Sequence, residues 1–457
     1  MRSGGMEITV TQKRIPPKTH AKTGRARTSS SVRTKRPPSK AEAAKSLKSR
    51  ERAEKSRAKT VKKRFGKSAS SAPKPTLKGL DGSLVMTIII LVVFGLIMVF
   101  SASAPSASAY QGNPYHYIIR QAIFAVMGIA AMFLLSRIDY HKYQKYALAV
   151  LIGSFILLFT VYIPGVGVVR NNARRWINIG ISTLQPSEVV KVAIILYFSY
   201  SLSIVKKGIE KFWTGLFRYL VILGVFAAVL YKEPHLSATL VVCIVGAVLT
   251  ITAGAKVKHY AAILLCALPV LAFVIYNQPY QMERITTFLD PFADKADSGF
   301  QVVNSLYAIG SGGVFGLGLG MSRQKFLYLP EPHNDFIFAI VCEELGLLGA
   351  VAVLVLFGIL IWKGYSIAIQ APDMFGTLMA TGITTLVGIQ AAINVAVVTG
   401  FAPATGVALP FFSYGGTSLL ILLSCMGVLL NISRQTVAVI RPSEKLIQKN
   451  NRVGNRI

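Results

Sequence analysis

The chain has 457 residues, of which 53% are hydrophobic, and its mean hydropathy is +0.51. It carries 50 Lys and Arg against 19 Asp and Glu, so its formal net charge is +31. The apolar residues are grouped in blocks of roughly 20, the length that crosses a hydrocarbon core, and this pattern excludes a soluble globular enzyme. We therefore predict an all-α polytopic membrane protein, because helices satisfy their own backbone groups in lipid.

Ten apolar blocks predict ten transmembrane helices within a membrane domain of residues 81–434. In chain order they cover approximately 84–104, 117–136, 146–163, 187–205, 216–231, 236–254, 260–276, 336–362, 374–399 and 406–433. Basic residues concentrate in the cytoplasmic loops of membrane proteins, and here they mark the N-terminal tail and every second short connection. Both chain termini are therefore predicted to be cytoplasmic. The two long loops, 164–185 and 277–335, then face outside, and the larger one connects helices 7 and 8.

The N-terminal segment, residues 1–80, holds 24 Lys and Arg against 4 Glu and has few large apolar residues. Such a composition cannot bury enough surface to fold alone, so we predict a disordered cytoplasmic tail that binds anionic membrane lipid. Nucleic-acid binding is not expected, because the tail has one aromatic residue and no recognisable module. Residues 435–457 form a second cytoplasmic tail. The four cysteines lie inside apolar blocks, without the spacing of a zinc site.

The outer loop 164–185 and the helix after it supply one group of candidate residues. They are Arg174, Arg175, Trp176, Pro186, Glu188 and Lys191. Guanidinium groups bind phosphate in a bidentate manner, so the arginines suit an anionic lipid headgroup. Pro186 fits the first helical position and Glu188 the first turn. Lys191 follows Glu188 by three residues, which permits either a structural ion pair or a positive charge in a cavity that opens to the outside.

The second outer loop, 277–335, is too long to serve only as a connection. Residues 300–309 have helical hydrophobic spacing, which predicts an amphipathic helix on the membrane surface. A glycine-rich run follows at 310–320. The candidate substrate-binding residues of this loop are Arg323, Lys325, Glu331 and His333.

Three carboxylates lie where this loop meets the eighth predicted helix: Asp335, Glu343 and Glu344. Ionisable groups at membrane depth are costly, so they are functional candidates. On a continuous helix Glu343 would lie about 12 Å beyond Asp335 and about 80° around the axis, and Glu344 would point nearly opposite. The three therefore cannot line one face. We predict one catalytic base, Asp335, with Glu343 and Glu344 as internal hydrogen-bond or ion-pair partners.

The last predicted helix begins with an irregular segment. Pro410, Gly415 and Gly416 interrupt its helical regularity. Ser413 and Tyr414 supply hydroxyl groups between them. Non-helical backbone at membrane depth persists only where it is buried in protein or lines a cavity. We predict that the two hydroxyl residues contact substrate and that the two glycines have a structural role.

Five sequence blocks together resemble the SEDS family (shape, elongation, division and sporulation) over residues 84–434. The blocks are ARRWINIG, QPSEVVKVA, GFQVVNSLYAIGSGG, QKFLYLPEPHNDFIFAIVCEELG and LPFFSYGGTSLL, in the family's order. The resemblance implies a ten-helix SEDS fold and a peptidoglycan glycosyltransferase that polymerises lipid II into β-1,4 glycan strands outside the bacterial cytoplasmic membrane. Asp335 aligns with the family's essential loop aspartate. The elements ARRWI and PFFSYGGTS favour the cell-division branch over the elongation branch, and the sporulation branch stays open.

The expected mechanism places Asp335 as general base. Arg174, Arg175 and Lys191 would stabilise the departing pyrophosphate, and the candidate residues of the second loop would orient headgroups. No cofactor is evident, although a divalent cation, Mg²⁺ or Mn²⁺, could assist at the pyrophosphate. The implied partners are lipid II, the growing glycan strand, a class B penicillin-binding protein that acts as transpeptidase, and other division proteins at the septum. The alternatives are a lipid II flippase, a scaffold, or the elongation or sporulation paralogue.

Overall fold

The computed structural model describes most of the predicted membrane domain. The described residues are 79–170, 173–178, 180, 183–205, 208–233, 236–277, 279–293 and 299–436. Nearly all of the two predicted tails, 1–80 and 435–457, lies outside these ranges. The role of the basic tail in lipid binding therefore stays a prediction.

Twelve α-helices and three short strands form the described part of the chain. The first six helices are α1 (Gly82–Gln111), α2 (His116–Leu135), α3 (Ala147–Phe159), α4 (Pro186–Ile204), α5 (Phe217–Lys232) and α6 (Leu236–Thr252). The other six are α7 (Val257–Tyr276), α8 (Pro279–Leu289), α9 (Phe300–Gly312), α10 (Ile337–Gln370), α11 (Met374–Val398) and α12 (Gly416–Gln435). The 3₁₀ turns Tyr140–Tyr146 and Thr160–Tyr162 flank α3, and the π-helical turn Phe212–Leu216 precedes α5.

Eight helical segments in the described residues are long and apolar enough to cross a membrane. They are Gly82–Gln111, His116–Leu135, Tyr140–Tyr162, Pro186–Ile204, Phe212–Lys232, Ile337–Gln370, Met374–Val398 and Gly416–Gln435. The predicted sixth and seventh spans correspond to α6 and α7, whose apolar segments Ser237–Thr252 and Val257–Cys266 are shorter. The chain is a multi-pass membrane protein, and the count of ten spans stays a prediction.

The last span differs from its predicted bounds of 406–433. Helix α12 begins only at Gly416, and the chain before it follows an irregular path. Gly406 has a φ of +70° and Phe411 a φ of +66°, which are left-handed conformations that interrupt an α-helix. The predicted interruption is therefore a full loop between α11 and α12. The helix predicted at 300–309 is present as α9.

The ends of the long helices follow local sequence signals. Asp81 caps α1 by accepting hydrogen bonds from two backbone N–H groups at 3.1 Å, and Gly112, with a φ of +65°, ends it. Pro186 occupies the first turn of α4, where its missing N–H has no cost. Asp373 caps α11 and accepts a hydrogen bond from the N–H of Gly376 at 2.8 Å.

A three-stranded antiparallel sheet interrupts the predicted all-α fold between α3 and α4. Its strands, in pairing order, are β1 (Gly167–Arg170), β2 (Ala173–Asn178) and β3 (Thr183–Leu184). The central strand pairs Ile177 with Gly167 on one side and with Leu184 on the other. Short runs of valine and isoleucine beside turn residues are strand signals, and such runs are present here between the charged residues. The sheet holds Arg175 on its central strand.

Helix α10 contains a break at Gly346, whose φ of +66° lies in the left-handed region. The glycine-rich outer loop pairs with the helix at this break. The N–H groups of Leu317 and Gly318 donate to the carbonyls of Glu343 and Glu344, both at 2.9 Å. The backbone groups around the break are therefore satisfied, as membrane depth requires. The outer loop folds back along α10 as a result.

The most buried spans are α4, α11 and α12, which form the centre of the domain. Helix α12 packs against α2, while α11 packs against α4, α6 and α10. Large side chains such as Phe198, Phe375 and Phe412 are fully enclosed among them. The peripheral spans expose apolar side chains, as helices in contact with lipid do. Helices α4, α10 and α12 all begin at the same end of the domain, and the candidate site lies there.

Candidate active site

A cavity of about 690 Å³ lies where α4, α10 and α12 begin. Its size is within the range of ligand pockets. Its charged lining residues are Arg120, Arg175, Glu188, Lys191, Arg284, Glu331 and Asp335. Four cationic side chains thus share the cavity with three carboxylates, an arrangement that favours an anionic ligand.

Asp335 lies just before α10 and is partly buried in the cavity wall. Its carboxylate accepts no hydrogen bond from the residues that the structure describes. Burial raises the pKa of Asp335 to about 6, and the carboxylate of Glu331 adds to this increase. Arg175 and Arg284 act in the opposite direction. Asp335 therefore titrates close to neutral pH, where a general base is most effective.

Gly406 provides the space that the Asp335 carboxylate occupies. A Cβ atom at Gly406 would lie 3.1 Å from Oδ2 of Asp335, closer than ordinary van der Waals contact. The φ of +70° at Gly406 also favours glycine. The loop between α11 and α12 can therefore pass directly beside the carboxylate.

Lys191 and Glu188 form a buried ion pair in the same cavity. The Nζ atom of Lys191 lies 2.6 Å from Oε1 of Glu188, and the two side chains are 4% and 15% exposed. Both possibilities that the sequence left open are therefore realised, because the structural pair also lines the cavity. Glu188 holds the ammonium group in place at the first turns of α4.

Arg175 reaches the cavity from strand β2 and is held by the end of α5. Its Nε donates a hydrogen bond to the backbone carbonyl of Glu233 at 3.2 Å. The Glu233 side chain is 1% exposed, and neither carboxylate oxygen has a hydrogen-bond partner among the described residues. Burial raises the pKa of Glu233 to about 8, and the charge of Arg175 opposes the increase.

Most of the predicted site residues come together in the cavity lining. Those that do are Arg175, Trp176, Glu188, Lys191, Glu331, Asp335, Ser413, Tyr414, Gly415 and Gly416. Arg174 and Arg323 do not line it, and both are exposed. The pairing of β1 with β2 shifts register here, because Val168 pairs with Trp176 and Val169 with Arg174, so Arg175 lies at a bulge between these pairs. The contact of Arg174 and Arg323 with substrate stays a prediction.

Lys325 also lies outside the cavity, and its predicted role with headgroups stays a prediction. Its Nζ is 2.8 Å from Oε1 of Glu344, and the two side chains are 4% and 0% exposed. The hydroxyl of Ser101 on α1 donates to the same carboxylate at 2.6 Å. Glu343 accepts hydrogen bonds from the Ser322 hydroxyl and from the N–H of Arg323. These carboxylates anchor the outer loop to α10 rather than facing substrate.

His333 packs between two aromatic rings instead of facing the cavity. Its ring centroid lies 4.5 Å from that of Tyr117 and 5.7 Å from that of Tyr414. Burial lowers the pKa of His333 to about 4, so the imidazole is neutral at pH 7. The predicted role of His333 in orienting headgroups stays a prediction, and it would not rest on a positive charge.

Two cavity arginines were missing from the predicted site. Arg120 lies in the first turns of α2, and Arg284 lies on α8, where it donates a hydrogen bond to the carbonyl of Ala404. An arginine near the outer end of an apolar span is itself a signal, because lipid disfavours the charge. Sequence alone could not show that both line the same cavity as Asp335.

The side chains at the site do not by themselves identify a metal-binding position. In the part of the chain that the structure describes, no group of three or more His, Cys, Asp and Glu side chains could hold a metal ion. The predicted assistance of Mg²⁺ or Mn²⁺ therefore stays untested.

The fold and the cavity define a polytopic helical membrane protein with a cationic site at one end. Residues 82–438 match the model of the FtsW, RodA and SpoVE family, described as cell cycle protein. The chain belongs to this family, which is the SEDS family that its sequence blocks resemble.

Individual relatives share most of their length with this chain. A probable peptidoglycan glycosyltransferase FtsW of Geobacter sp. (strain M18) is 42% identical over 357 residues, 78% of this chain and 97% of that protein. Stage V sporulation protein E of Bacillus subtilis (strain 168) is 43% identical over 354 residues, 78% and 97% of the two chains.

Solved structures share the RodA-like fold. One is a chain from work on the structural coordination of polymerization and crosslinking by a peptidoglycan synthase complex. It has a TM-score of 0.66, 27% identity, and coverage of 79% of this chain and 99% of that one. The Thermus thermophilus rod shape determining protein RodA has a TM-score of 0.59 at 25% identity, with coverage of 79% and 99%.

Proposed function

We propose that this protein is a peptidoglycan glycosyltransferase that polymerises lipid II into β-1,4 glycan strands during cell division and releases undecaprenyl pyrophosphate. The observation that carries the proposal is the unpaired, partly buried carboxylate of Asp335 in a cavity that four cationic side chains also line. The similarity to proteins named peptidoglycan glycosyltransferase FtsW supports the activity.

Asp335 acts as the general base. It accepts the proton of the acceptor's 4-hydroxyl while that oxygen attacks the anomeric carbon of the donor sugar. One displacement converts the α-linked lipid donor into a β-linked glycan, so a single base is sufficient. A pKa of about 6 keeps Asp335 mostly ionised at pH 7 and still able to take up a proton. A positioned base of this kind contributes roughly 10²-fold to 10⁴-fold to the rate.

Arg175 and Lys191 stabilise the departing pyrophosphate. The planar guanidinium of Arg175 matches phosphate oxygens in a bidentate manner. Lys191 supplies a point charge that Glu188 holds at 2.6 Å. Both groups are in place before substrate binds, so they stabilise the developing charge with little rearrangement. Arg120 and Arg284 add positive charge to the same cavity.

A divalent cation, Mg²⁺ or Mn²⁺, is proposed as a companion of the pyrophosphate. Phosphate oxygens and water supply many of the ligands of such ions in enzymes that bind phosphates. Chelation with EDTA followed by addition of either ion tests the idea in a polymerisation assay. Loss and recovery of activity would support the cation, and unchanged activity would exclude it.

The proposed orientation places the cavity outside the bacterial cytoplasmic membrane and both termini inside. The basic tail and the basic short loops support it.

The proposed partner is a class B penicillin-binding protein that crosslinks the new strands at the division septum with other division proteins. The similarity to a chain of a peptidoglycan synthase complex supports this partner. The proposed orientation has its own test: a cysteine placed next to Glu331 should react with a membrane-impermeant reagent on intact spheroplasts if the cavity lies outside.

A lipid II flippase is the second candidate function. It requires a polar route between the two ends of the domain. A second cavity of about 300 Å³ lies at the opposite end, beside Asp81 and Lys363, and shares no lining residue with the first. This separation favours the enzyme over the transporter.

The role in division competes with the role in sporulation, because relatives from both branches are similarly identical to this chain. Depletion during growth separates the branches. Filamentous cells would support division, rounded cells would support elongation, and a defect only in spores would support sporulation.

The deciding experiment is polymerisation of labelled lipid II by the purified protein, with and without its cognate transpeptidase. Wild type should form long glycan strands, and Asp335→Ala should form none while remaining folded. Equal synthesis by both proteins would refute the role of Asp335. Failure of the wild type with its partner would redirect the assignment to lipid flipping.

A further inference from the structure

Three consecutive backbone carbonyls of the segment 333–335 are each bound by a donor from α11 or the loop before α12. The N–H of Tyr414 donates to the first carbonyl at 2.8 Å. The Oγ of Ser413 donates to the second at 2.7 Å. The Nδ2 of Asn394 donates to the third, that of Asp335, at 2.6 Å. We name these three donors the carbonyl clamp.

Asn394 is the central member of the clamp. It lies on α11, its side chain is 1% exposed, and its Nδ2 also donates to the carbonyl of Val407 at 2.7 Å. Both hydrogens of the amide are therefore spent on backbone carbonyls. The amide joins the segment that carries Asp335 to the loop that carries Gly406. A group used in this way positions its neighbours and has no donor left for substrate.

The Ser413 hydroxyl donates its one hydrogen within the protein, although the sequence predicted that this residue contacts substrate. Its Oγ accepts a hydrogen bond from the N–H of Leu409 at 2.7 Å while donating to the segment 333–335. Gln121 of α2 secures the same loop, because its side chain binds the carbonyl of Ser413 at 3.2 Å and the N–H of Gly415 at 3.1 Å. The loop is therefore held on both sides.

We propose that Asn394 is a positioning residue for Asp335, holding its carboxylate against Gly406 in the wall of the cavity. The inference rests on the proposed role of Asp335 as general base. Without the amide, the carbonyl of Asp335 loses its donor and the segment is free to move toward water. The carboxylate then leaves both its orientation and its partly buried position.

The surroundings of Asp335 determine the direction of the expected change in pKa. Glu331 and burial raise the pKa, while Arg175 from β2 and Arg284 from α8 lower it. The Lys191–Glu188 pair and Arg120 complete the charged lining. Greater access of water removes part of the burial effect, so loss of the clamp should lower the pKa of Asp335 from about 6.

Asn431 offers a matched control at the opposite end of the domain. Its Nδ2 donates to the carbonyl of Ser136 at 2.8 Å, and its Oδ1 accepts from the N–H of Tyr140 at 3.0 Å. The side chain is 2% exposed, so Asn431→Ala removes the same amide from a similarly buried clamp. It differs from Asn394 in its partners, because Asp335 and Val407 line the cavity whereas Ser136 and Tyr140 do not.

The kinetic test compares lipid II polymerisation by wild type, Asn394→Ala and Asn431→Ala across pH. We expect Asn394→Ala to lower kcat by roughly 10-fold to 100-fold, the effect of a misplaced catalytic group, with little change in KM. The acidic limb of the pH–rate profile of this variant should move to lower pH. Asn431→Ala should lower the melting temperature but retain kcat and the acidic limb. Equal losses in both variants, or an unmoved limb in Asn394→Ala, would overturn the proposal.

A second measurement does not depend on turnover. The infrared band of a protonated carboxyl that disappears in Asp335→Asn reports the titration of Asp335 in the folded protein. Its midpoint should lie near pH 6 in wild type and Asn431→Ala, and lower in Asn394→Ala. An equal titration midpoint in wild type and Asn394→Ala would refute the positioning role of Asn394. This outcome does not depend on activity. Failure of the wild type to make glycan would instead refute the proposed function. If Asn394→Ala fails to fold, Ser413→Ala carries the same expectations.

Discussion

The two ends of the membrane domain use an aspartate in opposite ways. Away from the cavity, the carboxylate of Asp373 accepts hydrogen bonds from three groups: the Tyr140 hydroxyl, the His141 ring and the N–H of Gly376. At the cavity end, the carboxylate of Asp335 accepts none from the described residues. Asp373 joins the 3₁₀ turn Tyr140–Tyr146 to the start of α11. Asp335 is held only through its backbone carbonyl.

The difference separates a structural carboxylate from a functional one. A saturated carboxylate stabilises the contacts that it makes, whereas a partly buried carboxylate without partners costs free energy of folding. Such a group is retained where its reactivity is needed, and functional sites are the usual places for such local cost. The same contrast applies to the two buried ion pairs, of which only Lys191–Glu188 lines the cavity.

The largest expected effect contrasts the two aspartates directly. Asp335→Asn should lower lipid II polymerisation by at least about 100-fold, because the amide cannot accept the proton as a base. Asp373→Asn should keep most of the activity and lower the melting temperature, because it weakens contacts at the far end. Glycan length on gels and thermal unfolding of both proteins would check the pair. Comparable activity losses would show that the two ends are not separate in function.

The second prediction contrasts the two ion pairs. Lys191→Met and Lys325→Met should each destabilise the protein by about 3–5 kcal/mol, because each leaves a buried carboxylate unpaired. Removal of the partner as well, in Lys191→Met/Glu188→Leu and Lys325→Met/Glu344→Leu, should restore stability in both cases. Only the second double variant should also recover polymerisation. Recovery by the first would mean that Lys191 has no role in catalysis.

A smaller effect is expected from the glycine beside Asp335. Gly406 and Gly112 both have left-handed φ values, +70° and +65°, so alanine should destabilise each by about 1 kcal/mol. Around Gly112 nothing lies within 4 Å of an added Cβ, whereas at Gly406 the Cβ would meet the Asp335 carboxylate. Gly406→Ala should therefore lower kcat several-fold and Gly112→Ala should not. Single-turnover rates of the two variants at equal folded fraction would decide.

The smallest expected effect is on stability against pH. The pKa of Asp335 is raised in the folded state to about 6, so the folded protein binds more protons than the unfolded chain between about pH 4 and 6. Its contribution to stability is therefore lost as pH rises through this window. Asp335→Asn should melt a few degrees higher than wild type at pH 7.5, and the gap should close near pH 4. An equal gap at both pH values would show that ionisation is not the cause.

Several features were predictable because they depend on local composition. Long apolar blocks require spanning helices, and Pro186 and Asp373 start helices for reasons that lie within one turn. The position of Asp335, where the outer loop meets an apolar span, was also recognisable from the sequence. The pairing of Glu188 with Lys191 followed from their spacing on one helix.

Other features depended on residues far apart in the chain. Arg175 and Arg174 are neighbours in sequence, yet only one of them lines the cavity. Lys325 forms an ion pair with Glu344 and a hydrogen bond with Ser101, because the outer loop folds back along α10. The start of α10 at Ile337 also removes the continuous helix from which the positions of Glu343 and Glu344 were predicted.

The sequence by itself determined that this is a polytopic helical membrane protein of the SEDS family with Asp335 as its catalytic candidate. Hydropathy and motif chemistry are local properties, so they can be read without a fold. Only the tertiary structure decided which charges surround Asp335 and that Asn394, 59 residues away, holds its backbone. Such contacts arise from the packing of α11 against α4 and α10, and residue spacing along the chain contains no record of them.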